Sequence, residues 1–309
     1  MSARPHLRFV TAASLFDGHD ASINIIRRVL QAAGAEVIHL GHDRSVAEVV
    51  TSAIQEDATA IAVSSYQGGH NEYFAYLVQL LAEAGRSDIR VFGGGGGTIT
   101  DREIEALHAG GVTQIYSVEA GRRLGLEGVI QDMLRRCDGA PATRQPVEAF
   151  SANLPAPELA RWLTWVEEAV DAAPHDAEAA AWLAALRGRT ADARSQAVVV
   201  GITGTGGAGK SSLTDELVRR FTTHLPDRKV AVVSVDPTRR RTGGALLGDR
   251  IRMNAVFAPN VFMRSLATRQ SDSAISRASA DCTALLAAAG YDLILLETAG
   301  LGQGDGGVA

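Results

Sequence analysis

The sequence carries, at residues 204–212, the stretch Gly204-Thr205-Gly206-Gly207-Ala208-Gly209-Lys210-Ser211-Ser212. An apolar run precedes this stretch and a helical pattern follows it, which is the strand, loop and helix order of a phosphate-binding loop. Glycines let backbone N–H groups surround phosphate oxygens, Lys210 supplies charge to the β and γ phosphates, and the Ser211 hydroxyl suits Mg²⁺. The stretch therefore predicts a parallel-sheet domain that binds a nucleoside triphosphate.

Composition excludes several other classes of protein. The 309 residues are 46 % hydrophobic and 21 % charged, which is typical of a globular chain with room for about two domains. No apolar run approaches the roughly 18 residues of a membrane span, and the N-terminus lacks a signal-peptide core. A net charge of −5 argues against a nucleic-acid partner, and the two cysteines have no zinc spacing. We predict a cytoplasmic protein with no membrane or nucleic-acid partner.

The first 137 residues alternate β-rich runs with helical patterns. Five strands are predicted, at residues 7–13, 36–40, 60–64, 89–92 and 114–116. This alternation indicates an α/β, flavodoxin-like, doubly wound sheet whose ligand lies beyond the carboxyl ends of the strands.

Five consecutive glycines, at residues 93–97, follow the fourth of these strands. Each glycine costs backbone entropy and, in this interpretation, serves no packing purpose. The run therefore predicts that something large approaches the backbone closely. A flexible loop is the alternative.

Three of the strand-end loops carry a pattern. Asp17-x-His19-x-x-Ser22 follows the first strand, Ser64-x-Tyr66 ends the third, and Gly93-Gly94 ends the fourth. This pattern resembles, in residue types and intervals, the D-x-H-x-x-G, S-x-L and G-G signature of cobalamin-binding domains of the base-off/His-on type. Ser22 and Tyr66 depart from it, since the signature has glycine and leucine at those positions.

The resemblance implies a role for each matched residue. His19 would be the axial cobalt ligand of adenosylcobalamin, and Asp17 would hold the imidazole by a hydrogen bond. Ser64 would face the buried nucleotide tail of the cofactor, and Gly93 and Gly94 would leave room for it.

Residues 139–195 differ in character from the chain on either side. This stretch contains five of the nine prolines and all three tryptophans, and two helical patterns occupy its second part. We predict a proline-rich and helical linker between a cobalamin-binding domain, 1–138, and a GTPase domain, 196–309. The tryptophans fit either a hairpin that buries its own aromatic rings or a docking element for the flanking domains or a second subunit.

Carboxylates stand at two strand ends of the third segment. Asp236 and Glu297 each follow an apolar run, from where they can reach Mg²⁺ beside Ser211. A helix cap is the alternative use of such a residue.

The same segment resembles the metallochaperone G-proteins of acyl-CoA mutases, which belong to the SIMIBI class of P-loop GTPases. The resemblance runs through residues 235–238, 242–253, 264–266 and 297–303. It implies GTP and GDP as ligands and residues 242–253 and 301–304 as switch segments. The Mg²⁺ ligands would be Ser211, Asp236, Asp249, Glu297 and Thr298. The nucleotide-binding residues would be Gly204, Gly206, Gly207, Ala208, Gly209, Lys210, Ser211, Ser212, Arg252 and Gly300.

Together the two halves resemble the family of fused isobutyryl-CoA mutases. That family implies an isomerase that rearranges acyl-CoA substrates on a barrel domain, with a GTPase that gates cofactor loading, and a homodimer. The chain stops at Ala309, before a guanine-reading motif or a barrel. We therefore expect a fragment with no catalytic residues of the mutase and with weak or absent hydrolysis. A free-standing cobalamin carrier or chaperone is the alternative, and a corrinoid methyl carrier is a third option.

Overall fold

The computed structural model describes residues 7–95, 99–139, 142–238, 242–269 and 276–298. The chain divides into two compact units. The first comprises Met1–Ala140 together with Arg241–Ile251, and the second comprises Pro141–Arg240 together with Arg252–Ala309. The predicted domain bounds, 1–138, 139–195 and 196–309, stay predictions. Eleven residues from within the predicted GTPase domain, Arg241–Ile251, group with the first unit.

The first unit is a parallel sheet wrapped by helices. Its first five strands are β1 (Arg8–Ser14), β2 (Glu36–Arg44), β3 (Ala60–Ser64), β4 (Arg90–Gly94) and β5 (Gln114–Tyr116). The helices are α1 (Ala21–Ala32), α2 (Val46–Gln55), α3 (His70–Glu83), α4 (Asp101–Ala109) and α5 (Val118–Arg136). The five predicted strands are therefore confirmed, with shifts of a few residues at their ends.

The order of these strands defines where a ligand binds. From one edge the sheet runs β5-β4-β3-β1-β2, which is the flavodoxin order, and each neighbouring pair is parallel. Chain direction across the sheet reverses between β1 and β3, and ligands of doubly wound sheets bind at that switch point. The loops after β1 and β3 are those that carry His19 and Tyr66.

A sixth strand extends this sheet. Strand β8 (Ala245–Leu247) lies parallel to β2, with Glu36 opposite Ala245 and Ile38 opposite Leu247. In sequence, β8 belongs to the stretch 242–253 that resembles a switch segment. Residues 242–251 are instead part of the first unit, where β8 covers the edge of β2 that would otherwise be open.

The second unit contains a four-stranded parallel sheet. Its strands are β6 (Val198–Ile202), β7 (Val230–Asp236), β9 (Val261–Ala267) and β10 (Leu293–Glu297), in the order β6-β10-β7-β9. The helices are α6 (Ala156–Ala172), α7 (Ala177–Thr190), α8 (Lys210–His224) and α9 (Ser279–Ala288). Strands β7 and β9 are almost entirely buried, as their apolar composition predicts, whereas Val198 at the β6 edge is 61 % exposed.

The helices predicted as a linker are integral to this second unit. Trp162 and Trp165 of α6 are buried in one cluster with Phe262 of β9 and Leu285 of α9. The three tryptophans also contact one another, with Trp162 between Trp165 and Trp182 at centroid distances of 5.2 and 5.9 Å. The three tryptophans thus lie in a helical hairpin, formed by α6 and α7, that also covers one face of the sheet.

Among the described residues, no helix has the length and apolarity to cross a membrane.

Candidate functional site

The loop after β1 centres on the carboxylate of Asp17. This side chain is fully buried and accepts three hydrogen bonds. Its Oδ1 accepts from the backbone N and the Nδ1 of His19, both at 2.9 Å, and its Oδ2 accepts from the backbone N of Tyr66 at 2.6 Å. Asp17 therefore ties the loop that follows β1 to the loop that follows β3.

The geometry at Asp17 selects the tautomer of His19. An ionised carboxylate can only accept hydrogen bonds, so the Nδ1 of His19 must carry the hydrogen. In the neutral ring Nε2 is then the nitrogen with a free lone pair, which is the form that a metal-ligating histidine needs. The side chain of His19 is 65 % exposed, so the ring is accessible to a ligand.

The two residues that depart from the cobalamin-binding signature contact each other. Ser22 lies in the first turn of α1, and its Oγ is 2.5 Å from the hydroxyl oxygen of Tyr66. The ring of Tyr66 also lies beside that of His19, with centroids 5.6 Å apart and planes at 38°. Both departures thus lie in the immediate surroundings of His19.

Ser64 ends β3 in the position expected of a ligand-facing hydroxyl. Its Oγ is buried and has no hydrogen-bond partner among the described residues. Residues two apart on a strand share a face, so Ser64 lies on the face that Ala60 and Ala62 present to the core formed with α1 and α5. Because a buried hydroxyl without a partner is costly, this atom fits a cofactor that would supply one.

The two predicted cofactor glycines lie on opposite faces of β4. A Cβ on Gly93 would lie 2.4 Å from the Phe74 ring and 2.5 Å from Ile115, whereas a Cβ on Gly94 would meet the backbone oxygen of Tyr116 at 3.2 Å. Packing against Phe74 explains the glycine at position 93, so the expectation that packing does not require glycine is wrong there. Of these two glycines, Gly94 is the one that shares the face of Ser64. Residues 96–98 of the glycine run lie outside the described residues.

In the second unit, the phosphate-binding loop has the backbone that its glycines allow. Gly207 and Gly209 have φ angles of 79° and 86°, in the left-handed region that favours glycine, and Gly209 is the N-cap of α8. The Nζ of Lys210 donates to the backbone oxygens of Gly204 and Thr205, both at 3.3 Å. The predicted residues Gly206, Ala208 and Ser212 are exposed on the same loop and first helical turn.

Two other predicted residues of the nucleotide site, Glu297 and Arg252, converge on the Ser211 hydroxyl. Ser211 Oγ donates to Glu297 Oε1 at 2.7 Å, and Arg252 places its Nε and Nη2 at 3.4 Å from the same oxygen. Glu297 is 2 % exposed, and its second oxygen accepts from Thr214 at 3.1 Å. Sequence reasoning missed Thr214, although its position three residues after Ser211 on one helix face could have revealed it.

The other predicted Mg²⁺ ligands are distributed more widely. Asp236 lies half-buried at the end of β7, and the Thr298 hydroxyl lies 3.0 Å from that of Thr203. Asp249 is 5 % exposed and belongs to the first unit. The described residues contain no cluster of three or more His, Cys, Asp or Glu side chains arranged for a metal. Gly300 and residues 301–304 lie outside the described part of the chain.

Both units match known families. Residues 7–122 match the model of the B12 binding domain, and residues 159–309 match that of the methylmalonyl-CoA mutase-associated GTPase MeaB. The chain therefore combines a cobalamin-binding domain with a MeaB-type GTPase domain, and the predicted fold class is confirmed. The MeaB match begins within α6, in agreement with the packing of that helix on the GTPase sheet.

Over nearly its whole length the chain resembles fused isobutyryl-CoA mutases, and the predicted resemblance is confirmed. Relatives of that name from Geobacillus kaustophilus and Cupriavidus metallidurans are each 56 % identical to it, over 306 and 309 residues, or 98 % of this chain. The chain spans 28 % and 27 % of the length of these two relatives. A crystal structure of a cobalamin-binding protein from Desulfitobacterium hafniense aligns with 44 % of this chain and 60 % of its own, at 21 % identity and a TM-score of 0.37.

Proposed function

We propose that this chain is the cobalamin-binding and GTPase part of an acyl-CoA mutase that interconverts isobutyryl-CoA and n-butyryl-CoA. The observation that carries this proposal is the Asp17–His19 pair at the switch point of a B12-binding domain. The two relatives described above, which share 56 % identity with the chain, are named for that mutase. Substrate binding and a homodimeric state are further parts of the proposal that rest on the resemblance, and a cytoplasmic location is a part that rests on the sequence composition.

The residues of the first unit fit adenosylcobalamin. His19 would ligate the cobalt through Nε2, and Asp17 would hold the ring. The Ser64 hydroxyl, which has no hydrogen-bond partner among the described residues, would contact the nucleotide tail. When bound, the cofactor supplies a carbon–cobalt bond whose homolysis begins radical rearrangement. The chain's own contribution at this site would be to bind the cofactor and to hold the His19 imidazole in a fixed orientation.

The residues of the second unit fit a GTP–Mg²⁺ complex. Lys210 would exchange the backbone oxygens of Gly204 and Thr205 for phosphate oxygens, and Ser211 would turn its oxygen to Mg²⁺. Glu297 already binds Ser211, which places a buried carboxylate within reach of that ion. We propose that GTP hydrolysis at this site gates loading of the cofactor in the full-length mutase of which this chain is a part.

Optical titration with adenosylcobalamin tests the proposed cobalt ligand. We expect the wild-type chain to give the base-off/His-on spectrum and His19→Ala to lose it. His42→Ala is the matched control, because His42 is an exposed histidine of the same domain, and it should behave as wild type. An unchanged spectrum in His19→Ala would refute the assignment.

A further inference from the structure

Tyr66 contacts the His19 site at three points. Its backbone N donates to Asp17 at 2.6 Å, its ring lies 5.6 Å from the imidazole, and its hydroxyl lies 2.5 Å from that of Ser22. One residue of the loop after β3 therefore contacts the group that orients the histidine, the histidine ring itself, and the helix that follows it.

The Asp17 contact by itself leaves the imidazole of His19 with rotational freedom. A hydrogen bond at Nδ1 restrains one edge of the ring, but it does not by itself fix both side-chain torsions, χ1 and χ2, of the histidine. His19 is mostly exposed, so packing restrains it little. The neighbouring ring of Tyr66 limits the remaining rotation, because the two rings would collide on one side.

Tyr66 needs an anchor of its own in order to restrain His19. Gly68 and Gly69 follow it in the loop, and apart from their chain neighbours no atom of the described residues lies within 4 Å of where their Cβ atoms would be. The Ser22 hydroxyl supplies an anchor, since α1 is fastened to the core by Ile23 and Leu30. Glycine at 22 and leucine at 66, as in the signature, would provide neither hydroxyl of this bond.

We propose that Tyr66, anchored by Ser22, is a positioning residue that restrains the His19 imidazole and presents its Nε2 to the cofactor. The inference rests on the proposed cobalt ligation by His19 and adds to it the reason for both departures from the signature. The paired hydroxyls prepare the ligand before the cofactor arrives, which lowers the entropy lost on binding.

Titration of the 309-residue chain with adenosylcobalamin tests this inference through two single variants and their combination. Tyr66→Phe and Ser22→Ala each remove one hydroxyl, and each should weaken cofactor binding about threefold to tenfold while the His-on spectrum persists. The double variant should bind no more weakly than either single variant, because both lose the same bond. Ser22→Thr keeps a hydroxyl and should restore most of the affinity.

Tyr76→Phe is the control, because Tyr76 is an exposed tyrosine on α3 of the same domain. It should bind the cofactor as wild type does, and thermal melts should show all variants folded. Two results would overturn the inference: affinities of Tyr66→Phe and Ser22→Ala within twofold of wild type, or losses that multiply in the double variant. The proposed function fails separately, when His19→Ala keeps the His-on spectrum or the wild type never shows it.

Discussion

The guanidinium of Arg250 lies 3.1 Å from the carboxylate of Glu56, although 194 residues separate them in the chain, and neither side chain is exposed. Arg250 also donates to Gln55, and Glu56 lies within 3.7 Å of a second guanidinium, that of Arg8. These contacts fasten residues 242–251 to the cobalamin-binding unit. A stretch that the resemblance identifies as part of a GTPase switch is therefore built into the other unit.

Removal of Arg250 should destabilise the first unit. Arg250→Ala removes from the buried Glu56 the nearer of the two guanidinium groups described above, and breaking a buried pair typically costs about 3–5 kcal/mol. We expect a loss of about 3 kcal/mol in the free energy of unfolding, measured by urea denaturation. Arg135→Ala is the control, because Arg135 is 73 % exposed in its pair with Asp132 and should matter by less than about 0.5 kcal/mol. Equal losses in the two variants would contradict a buried anchor.

Gly244 should not accept a side chain. A Cβ there would lie 2.1 Å from the backbone oxygen of Gln31 and 2.9 Å from that of Ala35, and backbone atoms cannot move aside as a flexible side chain does. Gly244→Ala should therefore reduce the free energy of unfolding by about 1–3 kcal/mol. Gly248→Ala is the matched control, because a Cβ there would lie 4.0 Å from the side chain of Leu246. A wild-type denaturation curve for Gly244→Ala would show that β8 does not pack as described.

His39 should make stability depend on pH. Burial, followed by the charge of Arg27, lowers the pKa of His39 from 6.5 to about 4, and a hydrogen bond of 3.0 Å joins its Nδ1 to the hydroxyl of Thr11. Between these two pH values the unfolded chain binds the proton and the folded protein does not. The free energy of unfolding should therefore fall as pH drops from 6.5 to 4, by up to about 3 kcal/mol.

The variant His39→Gln isolates that contribution. Urea denaturation at pH 7 and pH 5 should show a smaller pH-dependent loss in His39→Gln than in wild type. His42→Gln is the control, since His42 is exposed and lies on the same strand. If the free energy of unfolding of His39→Gln falls between pH 7 and pH 5 as much as that of wild type, His39 is not the source of the pH dependence.

Glu297 should confer the Mg²⁺ dependence of nucleotide binding. Its two oxygens accept from Ser211 and Thr214, so Glu297→Gln removes the charge with little change of shape. We expect calorimetric GTP affinity to lose most of its response to Mg²⁺ while metal-free binding changes little. Lys210→Ala should weaken GTP binding by at least about tenfold both with and without Mg²⁺, because it removes the charge that faces the phosphates. Glu216→Gln is the control, because Glu216 lies in α8 and pairs there with the exposed Arg219, and it should match wild type. An undiminished Mg²⁺ response in Glu297→Gln would refute this role.

Sequence reasoning predicted the regular elements well and the faces of β4 poorly. The strands predicted at residues 36–40 and 60–64 agree with β2 and β3, because the pattern and the length of an apolar run are local properties of the sequence. Residues 93 and 94 are both glycine, so the sequence alone does not distinguish their surroundings. Only the pleat of β4 and the position of Phe74 from another helix show that they face different surroundings.

Strand β8 could not be predicted for a related reason. Its three residues, Ala245–Leu247, are too few for a pattern, and its partner β2 lies some 200 residues earlier in the chain. The helices of residues 139–195 were predicted correctly. Their assignment as a linker differs from the structure, in which these helices pack on β7, β9 and α9. The sequence of the helices alone does not show which elements they pack against.

The sequence by itself determined the two domain classes, the phosphate-binding loop and the Asp17–His19 pair, because each depends on residues close together in the chain. The tertiary structure alone decided that Ser22 and Tyr66 share a hydrogen bond, that Arg250 and Glu56 pair, and that β8 joins the sheet of the cobalamin-binding domain. These features depend on atoms 44 to 194 residues apart, or on a strand paired across a comparable distance. Such contacts form only when the whole chain packs, so no local pattern encodes them.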